Sequence, residues 1–406
     1  MNHSSAHSPV TSRTPGNTPL GSSVSGNPAS KASPSSGNHP YPGNLSALSE
    51  ALSVASAGIL PSVREAHAES PLSAEAAQCV RASRANIESI LVGKDPRLLV
   101  IAGPCSLHDL GAATEFAERF AALQQEVAST TLLVMRGMFE KPRSTVGWKG
   151  FVHQSNVLGG HDMPKAITEL RKFFSRCGEL GVAIASEALD PALQLYFIDT
   201  VSYITIGART SESQIHRQMA SSLRLPVGFK NPTSGSLKVA VDSVQAAASS
   251  QSTVFSDPDG KQLQIVTNGN PLAHIILRGS GTKTNYHPAD IASAQTELSE
   301  RSRIVGLGLL EAIVVDCSHG NSSGDYLRQP VVFQQCVDEL CRPDAQRPRA
   351  LRGLMLEANL MPGKQLLKSE PPAPDVSVTD ACIGFDTLRS TVLSAHERLE
   401  RRCNAQ

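Results

Sequence analysis

Four residues with side chains that commonly ligate metals stand in short motifs, each far from the others in sequence. Cys105 lies in GPCSLHD, His319 in VDCSHGNSS, Glu357 in LMLEANL and Asp380 in SVTDACIGF. A soft thiolate combined with an imidazole and hard carboxylates suits Mn, Fe, Co or Zn better than Mg or Ca. Because a single cysteine beside a strand is more often an inert buried thiol, the prediction of a divalent-metal site depends on these four residues meeting.

A second motif, MRGMFEKPRSTVGWKG at 135–150, concentrates positive charge. It contains Arg136, Lys141 and Arg143, with Ser144 beside them, among glycine, proline and tryptophan. This mixture favours a rigid anion-binding loop over an ordinary solvated basic loop. Three further cations follow other apolar runs, namely Arg209, Lys230 and Arg278. So many cations at one place would repel one another without an anion, which predicts phosphorylated or carboxylated substrates.

Eight apolar, β-prone runs alternate along the chain with helical stretches, which are predicted at 112–123, 164–177, 212–223, 237–248, 288–301, 326–341 and 384–402. The runs are 98–102, 131–135, 182–185, 203–206, 227–229, 274–277, 312–315 and 353–356. Continuous apolar strands separated by crossover helices indicate a parallel sheet that is buried on both faces. Eight such units predict an α/β protein with a (β/α)8 TIM barrel, and an open doubly wound sheet is the less favoured alternative.

A reactive or charged residue follows each of the eight runs. In chain order these residues are Cys105, Arg136, Glu187, Arg209, Lys230, Arg278, His319 and Glu357. Barrel enzymes build their sites at the carboxyl ends of the strands, so we expect the eight side chains to share one mouth. A metal that polarises a carbonyl, beside cations for two anionic substrates, predicts carbon–carbon bond formation between phosphorylated metabolites.

The sequence divides into three predicted regions. Residues 1–44 are rich in Ser, Pro, Gly and Asn and are predicted to be a disordered tail. Residues 45–96 are predicted to be an N-terminal extension with helices at 45–57 and 73–92. Residues 97–406 are predicted to be the catalytic barrel, interrupted by an inserted β-hairpin at about 253–267, where SDPDG separates two β-prone runs.

Composition excludes several classes of protein. The 406 residues include 37 Lys and Arg against 37 Asp and Glu, which argues against a protein that mainly holds nucleic acid or an anionic membrane surface. No run reaches the ~18 uncharged apolar residues of a spanning helix. Eight cysteines without a CxxC pair favour a reducing, cytoplasmic location. The serine-rich, acid-poor tail keeps an organelle transit peptide as a minority alternative.

In content and order, these motifs resemble those of type I 3-deoxy-D-arabino-heptulosonate-7-phosphate (DAHP) synthase, in the microbial group regulated by aromatic amino acids. Resembling segments run from about residue 59 to 402 and include IGARTSESQIHRQMASSL, PVGFKN and ILRG. The resemblance implies a transferase that condenses phosphoenolpyruvate with erythrose 4-phosphate and water to give DAHP and phosphate. This reaction is the entry to the shikimate pathway of aromatic amino acid biosynthesis.

The resemblance also implies roles for individual residues. The metal ligands would be Cys105, His319, Glu357 and Asp380. The residues holding phosphoenolpyruvate would be Arg136, Lys141, Arg209, Lys230 and Arg278, and those taking the aldose phosphate would be Arg143 and Ser144. Lys141 is predicted to deliver a proton, with His319 as the second candidate. Glu187 is predicted to orient a water, with a structural ion pair to a nearby arginine as an equal alternative.

The sequence departs from the family pattern in places that bear on control more than on catalysis. KNPTSG replaces the commoner KNGTDG, and Arg224 stands where the family usually has a small residue. Two alternatives remain: a catalytically silent regulatory homologue, and a sister synthase using arabinose 5-phosphate, which normally has an Asn-rich loop in place of KPRST. The resemblance further implies an aromatic amino acid effector and a homodimer or homotetramer, built with the extension and the hairpin. An extension that only plugs the barrel bottom is an equal alternative.

Overall fold

The computed structural model describes residues 58–367 and 371–404. The predicted tail at 1–44 and the predicted helix at 45–57 lie outside the described residues. None of the described helices is long and apolar enough to cross a membrane.

The centre of the fold is a closed barrel of eight parallel strands. Its strands are β1 (Leu98–Gly103), β2 (Thr131–Arg136), β3 (Ala183–Glu187), β4 (Tyr203–Ile206), β5 (Val227–Lys230), β8 (Ala273–Leu277), β9 (Ile313–Asp316) and β10 (Leu351–Asn359). Each pairs with the next in this order, and β10 closes the circle on β1. Apart from the strand ends Glu187 and Arg352, every residue of these strands is buried, as continuous apolar runs require. The predicted TIM barrel is therefore confirmed.

Helices surround the barrel, and short polar side chains begin most of them. The helices are α1 (Val63–Glu69), α2 (Ala74–Leu91), α3 (Leu110–Val127), α4 (Met163–Glu179), α5 (Pro191–Phe197), α6 (Gln214–Ser222), α7 (Leu237–Ala248), α8 (Pro288–Val305), α9 (Gln329–Leu340) and α10 (Phe385–Asn404). Asp109 caps α3 by accepting a hydrogen bond from the backbone N–H of Ala112, at 2.8 Å. Such caps satisfy backbone donors that the first helical turn leaves unpaired.

Alternate residues of each strand face two different hydrophobic clusters. In β1, Val100 packs in the large cluster between strands and helices, whereas Leu99 and Ile101 pack in a smaller inner cluster. Helix α2 adds Ile87 and Ile90 to that inner cluster. Helix α2 thus packs against the inner cluster of the barrel, and both predicted roles of the extension stay predictions.

Two short strands outside the barrel, β6 (Ser252–Ser256) and β7 (Gln262–Val266), form the antiparallel hairpin that the sequence predicts. The hairpin precedes the sixth barrel strand. At its turn, Asp259 forms a two-bond ion pair with Arg64 of α1, at 2.6 and 2.9 Å. Both side chains are largely exposed, so this pair orients the hairpin more than it stabilises the fold.

Candidate active site

A cavity of about 730 Å³ opens at the carboxyl ends of the barrel strands. All eight side chains predicted to follow the strands line it: Cys105, Arg136, Glu187, Arg209, Lys230, Arg278, His319 and Glu357. Lys141 from the loop after β2 and Asp380 from the loop before β11 (Ile383–Gly384) complete the wall. The fold thus brings together residues that are up to 275 positions apart in the chain.

Three of the four predicted metal ligands form one cluster. Single ligand atoms of Cys105, Glu357 and Asp380 all lie within 4.8 Å of one another. Cys105 and Glu357 are buried, whereas the Asp380 side chain is 57% exposed at the mouth. One sulfur and two carboxylates are a donor set that a transition-metal ion or zinc can use, so the residues present fit a divalent cation.

The fourth predicted ligand, His319, lies beside this cluster and is not a member of it. Its Nε2 is 3.9 Å from Oε1 of Glu357, and its Nδ1 is 3.0 Å from Oδ2 of Asp316. The backbone of His319 is left-handed, with φ of 57°. A non-glycine residue in this region costs free energy, and such residues concentrate at functional sites. The role of His319 as a metal ligand stays a prediction.

Lys141 contacts two members of the cluster. Its Nζ donates to Sγ of Cys105 at 2.8 Å and to Oδ2 of Asp380 at 2.9 Å. Burial lowers the pKa of Lys141, but its contact with Cys105 and the charges of Asp380 and Glu357 outweigh burial and raise that pKa above its usual value. Burial and the Glu357 carboxylate raise the pKa of the Cys105 thiol to about 11. The ammonium and a bound metal ion would therefore compete for the same donor atoms.

Arg136 forms a buried ion pair with Glu357. Nη2 of Arg136 lies 2.9 Å from Oε1 of Glu357, and both side chains are at most 4% exposed. The hydroxyl of Ser318 donates to the other carboxylate oxygen at 3.0 Å. Burial raises the pKa of Glu357, but the charges of His319 and Arg136 lower it by more than burial raises it. The pKa of Glu357 therefore lies below its usual value. Glu357 is therefore held as a carboxylate in a fixed orientation.

Asp316 is a site residue that the sequence analysis missed. Its Oδ2 accepts from Nζ of Lys230 at 2.8 Å, and the carboxylate is fully buried. Burial raises the pKa of Asp316, but the charges of Lys230 and His319 hold it well below its usual value. Its position at the end of β9, in VVDCSH, is the same signal that identified the other residues at strand ends.

Arg209 and Arg278 reach the cavity without a carboxylate partner among the described residues. Nε of Arg209 donates to the hydroxyl of Ser144 at 3.0 Å. Burial lowers the pKa of Arg278, Asp316 raises it, and Arg209 lowers it further, leaving it below its usual value. Like-charged guanidinium groups without counter-ions are suited to bind an anion. Arg143 and Ser144 are exposed and lie outside the cavity wall, so their predicted contact with an aldose phosphate stays a prediction.

Glu187 has no ion pair among the described residues, so the alternative of a structural pair with an arginine finds no support. Its Oε1 is buried without a hydrogen-bond partner. Gly207 leaves room for this carboxylate, because a Cβ there would lie 2.2 Å from Oε1. An unpaired carboxylate oxygen in a polar cavity is suited to hold a water molecule.

Two further cavity residues, Lys364 and Glu140, escaped the sequence analysis. Lys364 lies in the loop after β10, a segment with no strand-end signal. Glu140 is a buried residue of the loop at 135–150 and accepts from the backbone N–H of Asp190 at 3.2 Å and from Nε2 of Gln194 at 3.3 Å. Burial raises the pKa of Glu140. Its contacts tie the loop to helix α5, which the sequence analysis also missed.

Comparisons with known proteins identify the family. The family model of the DAHP synthetase I family matches residues 71–392. The chain is 42% identical over 352 residues to the Tyr-sensitive phospho-2-dehydro-3-deoxyheptonate aldolase of Escherichia coli K12, covering 86% of this chain and 95% of that protein. It is also 42% identical over 317 residues to the Trp-sensitive enzyme of Salmonella typhi, covering 78% and 88% of the two chains.

A solved structure agrees with these sequence matches. The phospho-2-dehydro-3-deoxyheptonate aldolase of Francisella tularensis SCHU S4 superposes with a TM-score of 0.81 at 31% identity, covering 86% of this chain and 99% of that one. The resemblance drawn from the motifs is confirmed. With its barrel, its cluster of cations and its matched residues, the chain belongs to the DAHP synthetase I family.

Proposed function

We propose that this protein is a 3-deoxy-7-phosphoheptulonate synthase that condenses phosphoenolpyruvate with erythrose 4-phosphate and water, giving DAHP and inorganic phosphate. The reaction is a group transfer at the entry to aromatic amino acid biosynthesis. The observation that carries the proposal is one cavity that holds the Cys105–Glu357–Asp380 cluster beside the five predicted cations and Lys364. The reaction needs cations to bind two anionic substrates and a metal ion to polarise a carbonyl, and this cavity offers residues for both.

The five predicted cations divide into two groups according to their partners. Arg136, Lys141 and Lys230 each have a carboxylate within 2.9 Å, whereas Arg209 and Arg278 have none among the described residues. We assign phosphoenolpyruvate to all five, with Arg209 and Arg278 supplying most of the uncompensated charge. Arg143 and Ser144, whose hydroxyl accepts from Nε of Arg209, would take the phosphate of the second substrate.

A divalent cation, when bound by Cys105, Glu357, Asp380 and His319, would polarise the aldehyde oxygen of erythrose 4-phosphate. The donor set suits Mn, Fe, Co or Zn. The chain's own residues hold the site for it. Arg136 and Ser318 fix the Glu357 carboxylate, and Asp316 lies against Nδ1 of His319, leaving Nε2 directed towards Glu357.

The proton movements are assigned to side chains whose charge state the geometry sets. Lys141, whose pKa is raised, carries a proton on Nζ at neutral pH and can deliver it at the cavity; His319 is the second candidate. C3 of phosphoenolpyruvate bonds to the aldehyde carbon, which leaves C2 cationic; Glu187, through its unpaired Oε1, would hold the water that then adds to C2, and the resulting tetrahedral intermediate expels phosphate. Cations around the departing phosphate stabilise the charge it gains.

The test is a substrate-dependence assay on purified protein loaded with Mn or Co. Phosphoenolpyruvate should be consumed, with release of inorganic phosphate, when erythrose 4-phosphate is supplied. Arabinose 5-phosphate in its place should give no consumption. Absence of consumption with every metal supplied would exclude the synthase and leave a silent homologue. Consumption with arabinose 5-phosphate alone would identify the sister synthase.

An aromatic amino acid effector is proposed for a separate cavity of about 150 Å³ between α5, α6 and the hairpin. Its apolar wall includes Leu195, Ile198, Met219 and Phe255. The two curated relatives above are named Tyr-sensitive and Trp-sensitive. Assays with Phe, Tyr and Trp added separately identify the effector, and Met219→Asp should abolish that inhibition while retaining the uninhibited rate.

The proposal extends to assembly and location. A homodimer or homotetramer is expected from light scattering of the full chain, and a cytoplasmic location from fractionation of the source cells.

A further inference from the structure

A second charged cavity, of about 440 Å³, lies at the opposite end of the barrel from the candidate active site. Leu98 and Leu351, the first residues of β1 and β10, line it, whereas Cys105 and Glu357 lie at or beyond the other ends of these strands. Leu340 of α9 and Leu399 of α10 also line it. None of its lining residues has a role in the proposed reaction.

Five arginines line this cavity against two aspartates. The arginines are Arg97, Arg347, Arg349, Arg352 and Arg402, and the aspartates are Asp95 and Asp344. Asp95 is committed to Arg97, at 2.6 Å. Asp344 lies 3.6 Å from Arg347 and 3.8 Å from Arg402. The lining therefore carries an excess of three positive charges.

Two of these guanidinium groups have buried nitrogens that donate to no acceptor. Nε of Arg352 and Nε of Arg402 are both buried and unpartnered among the described residues. Arg402 satisfies another of its nitrogens on the carbonyl of Leu340, at 3.2 Å, which is an ordinary helix-end contact. Arg352 has no such contact. A buried cationic donor without an acceptor costs free energy, so its position calls for a ligand.

The backbone makes room for Arg352. Gly93 has φ of +81°, and a Cβ there would lie 2.5 Å from Nη2 of Arg352. Arg349, which lies in the loop just before β10, is exposed and has no ion pair among the described residues. Two unpaired guanidinium groups on one cavity can present their planar forks to the oxygens of a single anion.

We propose that this cavity is a second anion site, which binds a phosphate group carried by a small molecule. The volume exceeds that of a single phosphate, so the remainder of the cavity takes the body of the ligand. Arg352 and Arg349 bind the phosphate oxygens, and Arg402 contributes its free Nε. The site lies away from the catalytic cavity and is independent of the proposed synthase activity.

The test is equilibrium dialysis of the full-length protein against radiolabelled inorganic phosphate at low ionic strength. Arg349→Gln and Arg352→Gln should each weaken one class of bound phosphate by about tenfold or more, because each removes charge-assisted hydrogen bonds. The double variant should lose that class entirely. Arg342→Gln is the matched control, since Arg342 is exposed near the same end of α9, pairs with Glu339 and lies outside the cavity.

Because Arg349 is exposed, its variant is expected to fold normally, so loss of binding there cannot be assigned to unfolding. Identical phosphate stoichiometry and affinity in wild type, Arg349→Gln and the double variant would overturn the proposal. Competition then identifies the ligand class. Glycerol 3-phosphate should displace the labelled phosphate from this class, and displacement by succinate alone would overturn the assignment to a phosphate. Phosphate binding is measured without catalytic turnover, so the result tests this proposal whether or not the synthase assay succeeds.

Discussion

Removing the charge of Asp316 should destabilise the protein strongly. Asp316 is fully buried, and its Oδ2 lies 2.8 Å from Nζ of Lys230, which is 8% exposed. Asp316→Asn retains the shape and the Oδ1 that accepts from the N–H of Ser318 at 3.0 Å, but leaves the ammonium without its counter-ion. Breaking a buried pair from one side typically costs about 3–5 kcal/mol. Against a typical total stability of about 5–15 kcal/mol, the loss is easily measured.

A double-mutant cycle separates the pair from its surroundings. Lys230→Met removes the other charge, and the double variant with Asp316→Asn buries two uncharged side chains. We expect the double variant to lose less stability than the sum of the single variants, by about 1–3 kcal/mol. Urea unfolding followed by circular dichroism gives the free energies. Glu126→Gln, which breaks the exposed pair with Arg389, is the control and should cost less than about 1 kcal/mol.

The same cycle tests the anion-binding role of Lys230. In Asp316→Asn the freed ammonium should bind inorganic phosphate more tightly, so phosphate should stabilise this variant more than wild type. A cost below about 1 kcal/mol for Asp316→Asn, or strict additivity in the double variant, would refute the view that the buried pair holds Lys230 in place.

Three further predictions address the metal cluster, the water site and the barrel core. Cys105→Ala should abolish tight binding of one divalent ion per chain, measured by equilibrium dialysis with Mn or Co, whereas Cys79→Ala on α2 should retain it. Gly207→Ala should displace the Glu187 carboxylate and reduce kcat while the thermal midpoint falls little, because a flexible side chain can move aside; an unchanged kcat would remove Glu187 from the mechanism. Burial lowers the pKa of His274 from 6.5 to about 4. As the pH falls, His274 therefore binds a proton in the unfolded state before it does so in the folded state. The contribution of His274 to the free energy of unfolding is present above pH 6.5 and is lost as the pH falls towards 4. Between pH 7 and pH 5 wild type should lose about 2 kcal/mol more than His274→Gln, measured by urea unfolding at each pH.

The barrel was predictable from sequence because its strands are short and mainly apolar and are separated by stretches long enough for crossover helices. Each of the eight predicted runs overlaps an observed strand; the run 353–356, for example, lies inside Leu351–Asn359. Helix α5 was missed because seven residues are too few to show helical periodicity. Its start is nevertheless marked by Asp190 as a cap and by Pro191 in the first turn, which are local helix-start signals.

The sequence predicted which residues line the candidate site better than it predicted which of them contact one another. The rule that polar groups at strand ends share one mouth placed Cys105 and Glu357 in the same cavity. It could not show that Lys141 donates to Cys105, because that contact depends on how a loop folds back over the barrel. The pairing of Lys230 with Asp316 joins residues 86 positions apart, and only barrel closure makes them neighbours.

The distribution of counter-ions explains how one cavity can hold so many cations and still bind anions. Lys230 and Arg136 are almost fully buried, and each is paired with a buried carboxylate, so folding itself does not leave an isolated charge in the interior. Arg209 is exposed at the mouth, where water solvates its charge at little cost until a ligand arrives. The unpaired charge of Arg209 is therefore placed where it costs little before a ligand binds, whereas the unpaired Arg278 is partly buried and burial lowers its pKa. Charge neutralisation of Arg209 should accordingly weaken phosphoenolpyruvate binding without the loss of folding stability expected at Lys230.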